Sequence, residues 1–313
     1  MTSPLSDEPD NAVVSRILSR RRLLALGGAG AVALTAGAGT AAQAASRDAV
    51  AGSGTAAAAR AAALASGTCM QLTAEQIEGP YYIDYELFRK DVVEDRTGVP
   101  LLLVLRAVDA TTCRPIRNSA IEIWHCDASG VYSGYTQTGN GGGGAPPTMT
   151  PGSPPPGGGG GHATPTDDLT WLRGIQMTDH EGFVTFRTVF PGWYTGRAVH
   201  VHTKVHTGGS RTSAGYTGGQ TCHTGQFYFT EAAVQATAGI APYSANTVSR
   251  VPLDEDGIYP GTGTAGGLLS LAYSPRHVED GVVGHITMAV DPAATNDGEG
   301  MPGGPAPAAS SGA

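Results

Sequence analysis

The sequence predicts an all-β protein, a β-sandwich with long loops and little helix. Three observations carry that expectation. Six or more short runs rich in Val, Ile, Thr and aromatic residues stand between clusters of Gly, Pro, Asp and Asn, which is how strands closed by turns read in a sequence. Glycine fills 46 positions of 313 and proline 21, while charged residues make up only 15%, a composition that excludes long helices and coiled coils. A single segment, Glu231 to Ala236, reads as helix, and it is short.

The strands follow in order. Val99 to Val108 is the first, and a turn over Asp109 to Asn118 leads into Ala120 to His125. Ile175 to Thr178 and Phe183 to Val189 flank Asp179-His180-Glu181-Gly182, which reads as a hairpin turn. His200 to Val205, Gln226 to Phe229 and Gly284 to Val290 complete the set. Together they place one β-sandwich domain over residues 69–292. The Ala/Ser/Gly stretch 45–68 reads as a disordered leader, 139–166 as a low-complexity loop and 293–313 as a disordered tail, because such tracts bury too little apolar surface to offset their ordering entropy.

Residues 1–44 read as a twin-arginine signal peptide. Ser19-Arg20-Arg21-Arg22-Leu23-Leu24 precedes a weakly apolar Gly/Ala run, and Ala42-Gln43-Ala44 supplies the small residues of a cleavage site. The run is too diluted by glycine and threonine to read as a membrane span. The expectation is export of the folded chain by the twin-arginine machinery to a secreted or extracytoplasmic location. Cleavage removes four arginines and three acidic residues and leaves 15 basic against 24 acidic. An acidic chain without a Lys/Arg block excludes nucleic acid as a partner. Cys69, Cys113, Cys126 and Cys222 form no CxxC pair, which argues against a thiolate zinc site. In an exported chain an even count predicts two disulfides, and all three connectivities stay open.

His200-Val201-His202 is the most informative triplet. On a strand both imidazoles project from one face while Val201 packs on the other, and two neutral imidazoles side by side make half of a metal site. The same triplet also fits a solvated polar strand face. Just before it stands Pro191-Gly192-Trp193-Tyr194-Thr195-Gly196-Arg197, and upstream Trp124-His125-Cys126-Asp127-Ala128-Ser129-Gly130-Val131-Tyr132-Ser133 exposes another tyrosine in a turn. Taken alone, Tyr132 and Tyr135 read as turn aromatics and Tyr194, with Trp193, as a surface packing pair.

These segments resemble the intradiol ring-cleavage dioxygenases, the family of catechol 1,2-dioxygenase and protocatechuate 3,4-dioxygenase. Glu78-Gly79-Pro80-Tyr81-Tyr82, the two tyrosine segments, Arg173-Gly174 with Thr178-Asp179 and Gly182, and Gln226-Phe227-Tyr228-Phe229 occur in family order. The resemblance implies the β-sandwich of that family and one mononuclear Fe(III) per chain, with no organic cofactor. Position by position it makes Tyr132, Tyr194, His200 and His202 the metal ligands, with Tyr194 leaving the metal when a catechol binds. It makes Arg197 and Gln226 the groups that stabilise charge developing on the ring, and Ile77, Pro80 and Tyr81 the substrate pocket. The implied substrates are a catechol-type diol and O2, and the implied products cis,cis-muconates.

The chain departs from the family in two respects. The N-terminal helical region that catechol 1,2-dioxygenases use for dimerisation has no counterpart before the first core strand, so a homo-oligomer stays open. Tyr194 also precedes Arg197 by only three positions, a short loop that would leave the metal more accessible. Two other readings compete with a dioxygenase. One is a non-catalytic, transthyretin-like sandwich that binds a ligand or carbohydrate and has lost its metal. The other is a zinc hydrolase built on the histidine pair, for which His206 is the sole further histidine on that strand face.

Overall fold

The computed structural model describes residues 56–65, 72–85, 87–140, 162–213, 215–259, 267–296 and 298. Two four-stranded sheets face each other. The first is centred on β1 (Pro100–Asp109), which pairs antiparallel with β4 (Phe183–Val189) and parallel with β10 (Val282–Val290); β9 (Ser270–Tyr273) closes the far edge of β10. The second sheet runs β3 (Arg173–Met177), β2 (Ala120–Trp124), β5 (His200–Thr207), β8 (Gln220–Tyr228), antiparallel throughout. A hairpin of β6 (Ser210–Thr212) and β7 (Gly215–Thr217) extends from β5.

Period-two alternation sorts the side chains. Leu101, Leu103 and Leu105 of β1, Phe186 of β4 and Met288 and Val290 of β10 meet Ile121, Ile123, Val201, Val205 and Phe227 from the second sheet in one continuous core. The complementary face of the second sheet therefore turns Glu122, Trp124, His200, His202, Lys204, Gln226 and Tyr228 outward. That face is also buried. The segment 72–85 crosses it, with the Gln76 amide donating to Thr224 O at 2.9 Å and the Gln226 side chain donating to Ile77 O at 3.0 Å.

The expected strands are present, with β8 longer than the sequence pattern indicated and β9 and the β6–β7 hairpin additional to it. The predicted helix extends over Glu231–Ala238 (α2), capped by the Thr230 side chain. Three expectations need correction. Asp179 to Gly182 is a tight turn but not a hairpin, because β3 and β4 lie in different sheets. Asp179 Oδ1 accepts from the amides of Glu181 and Phe183 at 2.9 and 3.0 Å, so the turn signal was real and only the pairing across it was misjudged.

The second correction concerns the leader. Within 45–68, Ala56–Ala65 forms a helix (α1) whose Ala59 and Ala63 pack on Leu102, Val104, Phe183 and Val283, the outer face of the first sheet. Arg60 fastens it, bonding Asp179 and Glu181 at 2.7 Å each with its guanidinium 4.1 Å from the centre of the Phe183 ring. The physical reason lies in β1: its unbroken apolar run is that of a strand buried on both faces, which needs a cover. Third, Cys126 and Cys222 are free and buried, so the second of the two expected disulfides is not formed; Cys113 is disulfide-bonded, and Cys69 lies outside the described residues.

Of 139–166, residues 141–161 lie outside the described residues, as do 1–44. The described ends of that loop are tied to the core: Ala163 N donates to Pro80 O at 2.9 Å and Asn140 to Asn246 at 2.9 Å. At the other terminus, residues expected in the tail are anchored, with Asn296 N donating to Thr221 O at 2.8 Å and Gly298 O accepting from Glu78 N at 3.2 Å. No described helix is long and apolar enough to cross a membrane.

His125, at the end of β2, links the two sheets. Its Nδ1 lies 2.8 Å from Cys126 O, and a carbonyl can only accept, so Nδ1 carries the proton and Nε2 accepts from Thr188 Oγ1 at 2.7 Å. Burial pushes this imidazole down to about 4, below its ordinary value near 6.5. Between those values the unfolded chain holds a proton that the folded chain does not, so stability rises with pH from about 4 to about 6.5 and is flat above. Urea unfolding from pH 5 to 7 should show this slope, and His125→Gln should reduce it by about 1 kcal/mol per pH unit.

Candidate active site

The outer row of β5 is the foundation of the site. His202 lies between Trp124 of β2 and Gln226 of β8, and His200 is paired with Tyr228. The Trp124 indole stacks on the His202 ring at 4.9 Å and 8°. On the other side Gly79 closes in: a Cβ there would stand 3.2 Å from His202 Cε1, and φ is +81°, so a side chain at this position would be strained as well as crowded. Held in this way, the two Nε2 atoms approach to 3.1 Å. His200 Nδ1 donates to Ala198 O at 2.6 Å, which leaves Nε2 as a bare lone pair.

Two loops bring the tyrosines to the same point. In the turn after β2, Asp127 Oδ1 accepts from Ser129 N, Ser129 Oγ and Val131 N at 2.9, 2.6 and 3.1 Å. That turn delivers Tyr132. The loop before β5 is bonded to it, with Gly192 N donating to Asp127 O at 3.0 Å and Asn246 Nδ2 to Trp193 O at 2.8 Å. Gly192 sits against the Ala128 carbonyl so closely that no Cβ fits. Tyr194 Oη is thereby placed 3.1 Å from His200 Nε2. The Tyr132 ring lies 5.7 Å from that of Tyr194 and 6.2 Å from His202, its buried hydroxyl without a well-formed hydrogen bond.

All four expected ligands therefore converge. Tyr81 joins them, stacked on Tyr132 at 4.8 Å and tilted to Tyr135 at 5.0 Å. The carbonyls of Ile77 and Pro80 accept from Gln226 Nε2 at 3.0 Å and from Ala163 N at 2.9 Å. Arg197 and Gln226 meet directly: Nη2 donates to Gln226 Oε1 at 2.6 Å and to Tyr228 Oη at 3.3 Å, while Nε donates to Asp256 Oδ2 at 2.8 Å.

The electrostatics of the pocket follow from its dryness. Burial lowers the pKa of His200 and His202 far below 6.5, so both imidazoles are neutral near pH 7. Burial also raises the phenols of Tyr132 and Tyr194. Such phenols ionise only against a compensating cation. Two lone-pair imidazoles and two phenols around one point are a donor set for a hard trivalent metal, because anionic oxygen ligands favour the higher charge. Among the described residues no group of three or more His, Cys, Asp or Glu could hold a metal. His206, the further histidine on which a zinc site would draw, is instead bonded to Glu122 and Thr221 at 3.2 Å each.

Several participants were not singled out from the sequence. Trp124 and Tyr228 had a signal, since each takes its place by the same alternation that aligned the histidines. Arg173 does as well, on β3; its guanidinium grips Ser133 Oγ, Ser133 O and Tyr81 O at 2.9, 2.7 and 2.8 Å, tying Tyr81 to the Tyr132 turn. Asp256 had none, because it stands in an irregular stretch far along the chain.

No protein-family model matches the sequence, and neither does any curated protein. Among solved structures, an intradiol ring-cleavage dioxygenase from Tetranychus urticae is 30% identical, with 73% of this chain and 98% of that one covered at a TM-score of 0.58. The chain belongs to the intradiol ring-cleavage dioxygenases. It is accordingly an enzyme of the dioxygenase class, and the non-catalytic sandwich falls away. The dioxygenase domain of a carbohydrate-binding fusion from Streptomyces sp. SirexAA-E is 22% identical over 71% of this chain and 99% of its own, TM-score 0.41. Hydroxyquinol 1,2-dioxygenase from Pseudomonas putida DLL-E4 is 16% identical over 74% and 70%, TM-score 0.43.

Proposed function

We propose that this intradiol dioxygenase is an exported Fe(III) enzyme that cleaves catechol-type diols with O2 between the two hydroxyl-bearing carbons, giving cis,cis-muconate-type products. The ligands in this reading are Tyr132, Tyr194, His200 and His202. One observation carries it: two buried phenols and two neutral imidazoles meet at a single point on the sheet of a family member. Export rests on the Arg20-Arg21-Arg22 signal of the sequence.

Ferric iron bound there would supply a Lewis acid and a template for the chelated diol, making a ring carbon reactive toward O2. The chain supplies the rest. A catechol must shed protons to chelate, and Tyr194, as a phenolate, is a base that can take one at Oη. Arg197 supplies a fixed positive charge that would stabilise negative charge developing on the ring, and Gln226, bonded to it, would share that role. Tyr81 forms a wall beside Tyr132.

Two cations beside the site are already neutralised: Arg197 is paired with Asp256 and Lys204 with Glu78 at 2.5 Å. Arg173 meets only neutral oxygens, of Ser133 and Tyr81, which hold it behind the Tyr81 and Tyr132 walls. A ring carboxylate on the substrate would find the charges of Arg197 and Lys204 already paired. Uncharged catechols should therefore be preferred, with kcat/KM on catechol at least about 10-fold above that on a ring-carboxylated catechol, since burying an unpaired carboxylate costs more than 1.4 kcal/mol.

The purified protein should contain about one iron per chain and be red to brown, through charge transfer from phenolate to ferric iron. Tyr132→Phe should lose much of that colour, and a Tyr132→Phe/Tyr194→Phe variant that keeps an intense visible band would overturn the ligand assignment. Arg197→Ala should keep its iron and its band but lose about 100-fold in kcat, the scale of one transition-state charge contact.

A further inference from the structure

We propose that Asp256 is the positioning residue of this site: it holds the Arg197 guanidinium in the orientation that meets Gln226, and anchors the same clamp to the backbone entering β5. The inference rests on the catalytic reading of Arg197 and adds the device that makes that reading work.

The geometry is specific. The Asp256 side chain is fully buried, with 0% exposure against 16% for Arg197. Its Oδ1 accepts from the amides of Ile258 and Tyr259 at 2.9 Å each, so the carboxylate is fixed by its own turn before it touches anything else. Oδ2 then accepts from two neighbours in sequence, Arg197 Nε and Ala198 N, both at 2.8 Å. The second of these bonds is to backbone two residues ahead of His200. Arg197 thus cannot swing without its own chain moving, and the strand that carries the histidines starts from the same oxygen.

Gripping Arg197 at Nε is what frees its outer nitrogen. Nη2 makes its short bond, 2.6 Å, to Gln226 Oε1 and a longer one, 3.3 Å, to Tyr228 Oη, with Asp256 Oδ1 more distant at 3.4 Å. Gln226 and Tyr228 are the β8 residues in register with His202 and His200. A line of contacts therefore runs from the 256–259 turn through a planar fork to the metal-facing row. The planar guanidinium, held at two of its edges, has its direction determined, which a single-point cation would not have. A buried ion pair is weak evidence of stability in itself, so orientation is the role that this burial supports. The pairing also leaves the charge in place: burial disfavours the Arg197 cation, but Tyr194 and Asp256 together hold its pKa above the ordinary value.

Asp256→Asn retains an acceptor for the amides but removes the ionic grip. In the full-length, iron-loaded protein we expect iron content and the visible band to match the parent, KM to change little, and kcat to fall about 10-fold or more. In an Arg197→Ala background the same substitution should cost nothing further in kcat, because the residue through which it acts is gone. Unchanged kcat in Asp256→Asn, or a loss that simply adds to that of Arg197→Ala, would overturn the proposal. So would loss of iron from a folded Asp256→Asn variant, which would give the residue a purely structural role. Arg197→Lys provides an arm that does not depend on Asp256 variants folding: it keeps the charge but not a fork held at Nε, and should lose most of what Arg197→Ala loses, whereas near-parental kcat would overturn the orienting role. A colourless, inactive parent would remove the functional reading and this inference with it; a coloured, active parent with unaffected variants would remove this inference alone.

Discussion

Six consecutive residues of β5, His200 to Val205, are buried, yet alternate residues on that strand face opposite ways. The inward set can satisfy itself with apolar contacts. The outward set cannot, because a buried polar group without a partner costs about 1–3 kcal/mol. The segment that crosses the outer face of this sheet is arranged around that demand. Lys204 is paired with Glu78 at 2.5 Å and lies 3.9 Å from the Tyr82 ring centre; Tyr82 Oη donates to Glu122 at 3.2 Å, and Glu122 also meets His206. The segment 72–85 is thus held to the sheet largely by charge and hydrogen bonds, and it is the lid under which two imidazoles and two phenols meet. The site exists because the cover exists.

That origin explains how far the sequence could be read. The HxH triplet was legible since alternation needs only two residues and a strand. The same rule, carried one step further along β5 and across to β2 and β8, would have placed Trp124, Lys204, Gln226 and Tyr228 on the row that carries the two histidines. The strand period was sufficient information there, and only its extension was lacking. Asp256 is different in kind. Its role comes from a turn that folds back onto the Arg197 loop, and no periodicity relates residue 256 to residue 197.

The errors have the same structure. Asp179 to Gly182 carried a correct turn signal, but whether two strands flanking a turn pair or part to different sheets is decided by which faces their neighbours leave open, and this is a tertiary property. Ala56–Ala65 looked too small and featureless to order itself, and in isolation a ten-residue helix is marginal. It is ordered by the apolar row of Leu102, Val104 and Val283 beneath it. The cysteine count predicted a second bridge from compartment chemistry; Cys126 instead lies buried beside the Tyr132 turn, its Sγ 3.6 Å from Gly192 O.

One electrostatic pattern unites the pocket. Burial works against every charged form in it, lowering His200 and His202 and raising Tyr132, Tyr194 and Tyr228. The exception is Arg197 with Asp256, whose carboxyl, despite burial, is held down to about 2 by that guanidinium. At Arg197 what survives burial is therefore a dipole rather than a free charge. A dipole's field falls off faster with distance than that of a single ion, so it acts on groups close to Gln226 and contributes little to drawing in anionic ligands from solution. An unpaired arginine would attract carboxylated substrates from a distance but would orient none of them. Pairing it with Asp256 gives up long-range attraction and keeps short-range direction, which suits a substrate whose negative charge is to develop only after it is bound.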